Sequence, residues 1–103
     1  MRIGENGKTY PVGEKEICKV FGIDRVPASG AGWRHKSDGT KGTDRIEIKE
    51  TDKESLSVKK LWLKKITSEA TKTGRDPRLL IRIQEEVWVA MPAKEYFDEF
   101  ETS

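Results

Sequence analysis

Residues Arg45-Ile46-Glu47-Ile48-Lys49 alternate strictly between charged and apolar side chains. A period of two belongs to a β-strand, whose successive side chains point to opposite faces. Ile46 and Ile48 are therefore expected in a core, with Arg45, Glu47 and Lys49 on the other face. The segments around this strand decide what it can build. Ile17, Val20 and Phe21 recur at helical spacing between Gly13 and Phe21, and Gly22 closes that helix. Downstream, 57–73 reads as the longest helix, with Val58, Leu61, Trp62, Ile66 and Ala70 as its buried stripe and Lys59, Lys60, Lys64 and Lys65 mainly outside it. Gly74 ends it and Pro77 prevents its resumption. Leu79–Gln84 and Val87–Met91 are β-rich runs around Glu85-Glu86, a hairpin pattern. Residues 1–12 form an extended or hairpin-like lead-in, and 93–103 a final helix with Tyr96, Phe97 and Phe100 at helical spacing. The expected fold is one small α/β domain over 1–103, with a central mixed β-sheet flanked by helices.

The chain has 103 residues, one cysteine (Cys18) and one histidine (His35). That length excludes a full dinucleotide-binding fold with a separate substrate domain. A single cysteine makes no internal disulfide and no cysteine-based zinc site, and it fits a reducing cytosol. The apolar runs fall far short of the ~20 residues that span a bilayer, and the first residues carry no apolar signal region. A cytoplasmic protein without a membrane partner is expected. Carboxylate and lysine chemistry, or binding, remains.

The formal net charge of +2 hides a gradient. Residues 34–65 carry ten basic and six acidic side chains, whereas 66–103 carry five and eight. A basic middle beside an acidic end suits a polyanion, although a lysine-rich solvated helix face has the same composition.

Glu47-Ile48-Lys49 places a carboxylate and an ammonium side by side. A carboxylate on a strand can hold a hard divalent cation, and an adjacent lysine can orient water or offset charge at a phosphodiester. Most such pairs are surface decoration. A metal site needs a second carboxylate, and Asp38 and Asp44 both lie upstream. Asp44 is three residues before Glu47, so on a continuous strand it faces away. Asp38 is nine residues before Glu47, with Gly39 and Gly42 between, and a hairpin there brings it alongside Glu47. Asp38 is preferred, and Asp44 stays open as the alternative.

Arg25-Val26-Pro27-Ala28-Ser29-Gly30, an aspartate, Glu47-Ile48-Lys49, then a helix and two strands, together resemble the PD-(D/E)xK nuclease superfamily. The likeness is greatest to small archaeal and phage Holliday junction resolvases, whose helical E-[RK]-[DE]-[IL] pattern is matched by Glu14-Lys15-Glu16-Ile17 and whose R-[IV]-[AP]-[AG]-S-G loop is matched by Arg25 to Gly30. It runs from about Gly13 to Met91. The resemblance implies a restriction-endonuclease-like fold and a homodimeric endonuclease that hydrolyses phosphodiester bonds in branched or duplex DNA. It implies Mg²⁺ or Mn²⁺ held by Asp38, Glu47 and the Ile48 carbonyl, with Lys49 at the scissile phosphate and Glu14 supporting from the first helix. Arg25 and Ser29 would meet the DNA backbone, with Arg34, Lys36, Lys59 and Lys60 adding phosphate contacts. Asp38 follows Ser37, where the family usually has glycine or proline. A non-catalytic DNA-binding protein on the same fold is the alternative, and a module docking a basic partner through its acidic end is a third. The tryptophans divide: Trp62 is expected in the core, Trp88 under the sheet, and Trp33 on a base or a dimer contact.

Overall fold

The computed structural model describes residues 1–26 and 38–97. The lead-in is a small hairpin of β1 (Arg2–Ile3) and β2 (Thr9–Tyr10), turned at Gly7 with a φ of 78°, which favours glycine. Helix α1 (Glu14–Phe21) follows and stops where Gly22 adopts the left-handed conformation, as its sequence predicts. Next come β3 (Asp24–Arg25), β4 (Gly39–Lys41) and β5 (Asp44–Thr51). Helix α2 (Lys60–Lys72) crosses over to β6 (Asp76–Ile83), which turns at Gln84-Glu85 into β7 (Glu86–Ala90). A short α3 (Ala93–Tyr96) closes the described chain, so the remainder of the expected 93–103 helix lies outside the described residues.

Five strands form one mixed sheet in the order β3-β4-β5-β6-β7. Among the described residues only β5 and β6 run parallel, because α2 carries the chain from the end of one back to the start of the other; the other neighbours are antiparallel. The parallel pair is in register over its full length, from Asp44↔Asp76 to Thr51↔Ile83. A parallel pair is normally covered on both faces, and this one is. On one face Ile46, Ile48 and Leu80 pack with Ile17 and Cys18 of α1 and with Ile23. On the other, α2 lies over β5 and β6, with Ile66, Ala70 and Leu79 buried. At ~2 kcal/mol for each large aliphatic side chain removed from water, these two small cores are the main favourable term in a chain this short.

Helix α2 differs from its sequence expectation at its start and along its buried stripe. The helix begins at Lys60, three residues later than expected, and Leu61 is exposed instead of buried. The buried stripe is narrower, running through Ile66 and Ala70 with Trp62 half-buried at its edge. Trp88 was expected beneath the sheet but stands 65 % exposed, because its strand is the last in the sheet. Pro77 does more than prevent helix: it sits inside β6, opposite Arg45.

Candidate active site

Glu47 and Lys49 share the face of β5 that α2 covers. Glu47 is 4 % exposed, one of the two charged residues in the buried set. A carboxylate held that far from water requires compensation, and two lysines supply it. Lys49 Nζ lies 3.5 Å from Glu47 Oε2, and Lys65 Nζ, reaching down from α2, lies 3.2 Å from Oε1. The Lys49 ammonium also stands 4.6 Å from the centre of the Trp62 ring, within cation–π range. Trp62 is thus a platform for the site's lysine, where the sequence predicted a core residue. By composition Lys65 belongs with the solvated lysines of its helix, and only the fold turns it to Glu47. Its place immediately before the buried Ile66 was the signal, since a residue on the shoulder of a buried stripe can turn inward along the sheet.

The second carboxylate comes from the residue just before β4. The antiparallel ladder runs Lys41↔Asp44, Thr40↔Arg45, Gly39↔Ile46, so one step further Asp38 stands across from Glu47. Its Oδ2 accepts a hydrogen bond from the Ile48 backbone N–H at 2.6 Å. Burial pushes the Asp38 carboxyl up to about 7; the Ile48 hydrogen bond opposes this, while the nearby charges of Glu47 and Glu14 add to it. Glu14, first residue of α1, also receives Arg25 Nε at 3.4 Å. Arg25 therefore pairs with Glu14 among the described residues. Asp44 is on the continuous strand, three residues from Glu47 and facing away from it, and it pairs with Arg78 at 3.3 Å. Asp38 thus lies beside both Glu14 and Glu47, Glu47 holds Lys49, and Asp44 is directed elsewhere.

Lys59 and Lys60 lie exposed at the N-terminal end of α2, with Lys59 Nζ 5.9 Å from the Trp62 ring. Ser29, Arg34 and Lys36 lie outside the described residues, as do Trp33 and His35. Among the described residues no helix is long and apolar enough to cross a membrane.

The donor set suits a hard divalent cation. Asp38 and Glu47 are oxygen donors on neighbouring strands, and like charges that raise an acid's pKa are relieved when a cation replaces the proton. Among the described residues, however, no group of three or more histidine, cysteine, aspartate or glutamate side chains stands assembled to hold a metal. In the geometry seen here, two lysines occupy the Glu47 carboxylate.

No family model, curated protein or solved structure matches the chain.

Proposed function

We propose that this chain is a metal-dependent DNA endonuclease of the PD-(D/E)xK type on a restriction-endonuclease-like fold, acting on branched or duplex DNA as Holliday junction resolvases do. The observation that carries this reading is the placement of Asp38, through its bond to Ile48 N–H, beside a buried Glu47 that already holds Lys49. Two carboxylates and a lysine converge from adjacent strands, although only Glu47 and Lys49 are close in sequence. Asp38, Glu47 and the Ile48 carbonyl would hold Mg²⁺ or Mn²⁺, which when bound supplies Lewis acidity at a phosphodiester oxygen. Lys49 would offset the charge that develops on the phosphorus oxygens, its ammonium steadied by the Trp62 ring. Arg25, Lys59 and Lys60, with Ser29, Arg34 and Lys36, would bind the phosphate backbone. Two cuts in a duplex or junction call for two sites, hence a homodimer. The reading favours a cytoplasmic protein of a phage or microbial cell.

The test is cleavage of labelled four-way junctions, flaps and duplexes with Mg²⁺ or Mn²⁺. Cleavage should vanish in Glu47→Ala and Lys49→Ala while DNA binding survives. Failure to cut any of the three substrates would sink the nuclease reading.

One observation favours a second reading. The ion pairs from Lys49 and Lys65 neutralise Glu47 without a metal. A non-catalytic DNA-binding protein on this fold would bind DNA with a steep salt dependence, no metal requirement and no response to Asp38→Asn.

A further inference from the structure

Among the described residues, the two edges of the five-stranded sheet are treated differently. At one edge β3 has two residues, Asp24 and Arg25, both charged and exposed. Short, charged edge strands are the usual defence against pairing with another chain. At the other edge β7 has five residues, Glu86-Val87-Trp88-Val89-Ala90, four of them uncharged. Among the described residues β7 pairs only with β6. Trp88 is 65 % and Val89 56 % exposed, on opposite faces of the sheet. Where Ala90 meets α2, an apolar groove of about 370 Å³ runs between Val58, Leu63 and Met91.

We infer that β7 is an interface for a second copy of this chain, which adds its own β7 antiparallel to give one continuous ten-stranded sheet. The strand's own sequence argues for a copy of itself. With the two-fold axis at Trp88, Val87 faces the other copy's Val89, Glu86 faces Ala90, and Trp88 faces Trp88. No like charges are opposed, and an aromatic pair occupies the centre, where cross-strand pairs stabilise a sheet most effectively. The area is also sufficient. At ordinary side-chain areas, Trp88, Val89, Met91, Leu63 and Val58 leave roughly 450 Å² of apolar surface on each chain, so backbone and flanking residues bring the total to the ~1,200 Å² at which specific interfaces begin.

This surface serves the two-subunit arrangement that the nuclease reading calls for, but its evidence is independent of that reading. An axis perpendicular to the sheet keeps both Glu47 side chains on one face. Glu47 is level with Leu79 and hence with Ala90, two strands in from the edge. Strand spacing and rise then place the two sites roughly 25–30 Å apart.

The experiment reads mass and register, not cleavage. In analytical ultracentrifugation at ~100 μM the protein should sediment at twice the 11.7 kDa of one chain. Trp88→Lys opposes two like charges on the axis and should weaken dimerisation at least tenfold, with its circular dichroism spectrum and melting curve retained. Trp88→Cys tests the register directly. Directly facing residues have Cα atoms about 4.5–5.5 Å apart, within reach of a disulfide, so mild oxidation should link two chains. Cys18 is buried and out of reach. A wild-type protein that stays at the mass of one chain overturns the inference, including the case in which β7 takes a strand from another protein. So does a dimer indifferent to Trp88→Lys, or one that Trp88→Cys does not cross-link.

Discussion

Replacing Asp38 by asparagine should stabilise the metal-free protein at alkaline pH and leave it nearly unchanged in acid. The side chain keeps its shape, and its amide oxygen can still accept the Ile48 N–H that now lies 2.6 Å from Oδ2. What changes is the charge. Burial, against the Ile48 hydrogen bond and with help from Glu47 and Glu14, raises the Asp38 carboxyl from 3.8 to about 7. The folded protein therefore holds this proton more tightly than the unfolded chain does. Between pH 3.8 and about 7 it binds more protons than the unfolded chain, so stability falls as pH rises across that window and levels off above it. A shift of that size corresponds to roughly 4 kcal/mol if fully expressed, and solvent reaching a half-buried carboxylate reduces it to about 1–2 kcal/mol. For a domain of this size that is a melting-temperature difference of roughly 5–12 °C. The assay is thermal unfolding followed by circular dichroism in chelator-treated buffer from pH 4 to pH 8.5. Wild type and Asp38→Asn should coincide at pH 4 and separate with pH, the variant being the more stable at pH 8. Mn²⁺ should then reverse the order: a cation at a hundred times its dissociation constant adds about 2.7 kcal/mol to the wild type. The variant, lacking a carboxylate ligand, should gain much less. If the variant is equal to or less stable than the wild type at pH 8 without metal, the account of Asp38 as a carboxylate whose charge is penalised chiefly by burial is wrong.

Three other results should follow from the same reasoning. Lys65→Met leaves the buried Glu47 with Lys49 alone and should lower stability by about 1–2 kcal/mol in chelator, with a smaller loss in saturating Mn²⁺; equal losses in the two denaturation series would separate Lys65 from the metal site. Arg82→Ala should be more damaging, by ~3 kcal/mol in urea unfolding, because the buried guanidinium joins Glu50 at 2.8 Å, Asp52 at 3.1 Å and the Gln84 carbonyl at 2.6 Å, and those acceptors lose their donor together. Glu95 is held below its usual 4.5 by hydrogen bonds from Arg78, so its contribution is present above that pH and is lost as pH falls through the depressed value; Glu95→Gln should therefore destabilise at pH 7 and have little effect at pH 2.5, and a pH-independent loss would point to packing instead.

The pairing around Arg82 marks where sequence reading ends. No local pattern marks Arg82, Glu50 and Asp52 as partners, since the two acids lie 32 and 30 residues from the arginine. They meet because β5 and β6 pair in parallel register and set Glu50 opposite Arg82. Burial then works against the Arg82 charge, and the two carboxylates outweigh it and raise its pKa. Glu50 has a further task, accepting the Gly13 N–H that precedes α1.

What the sequence determined by itself was whatever depends on local period and local stereochemistry. Alternation over 45–49 put Glu47 and Lys49 on one face, helical spacing located both long helices, and Gly22 and Gly74 marked their ends. The two glycines between Asp38 and Glu47 indicated a hairpin that would bring those carboxylates together. The tertiary structure decided which neighbours each face receives. It laid α2 across Glu47 and so turned Lys65 inward, made Trp62 the support of Lys49, paired Asp44 with Arg78, and left β7 and Trp88 at the edge. The crossover register is set by strand residues 32 apart in the chain, and no window of side-chain periodicity carries that information.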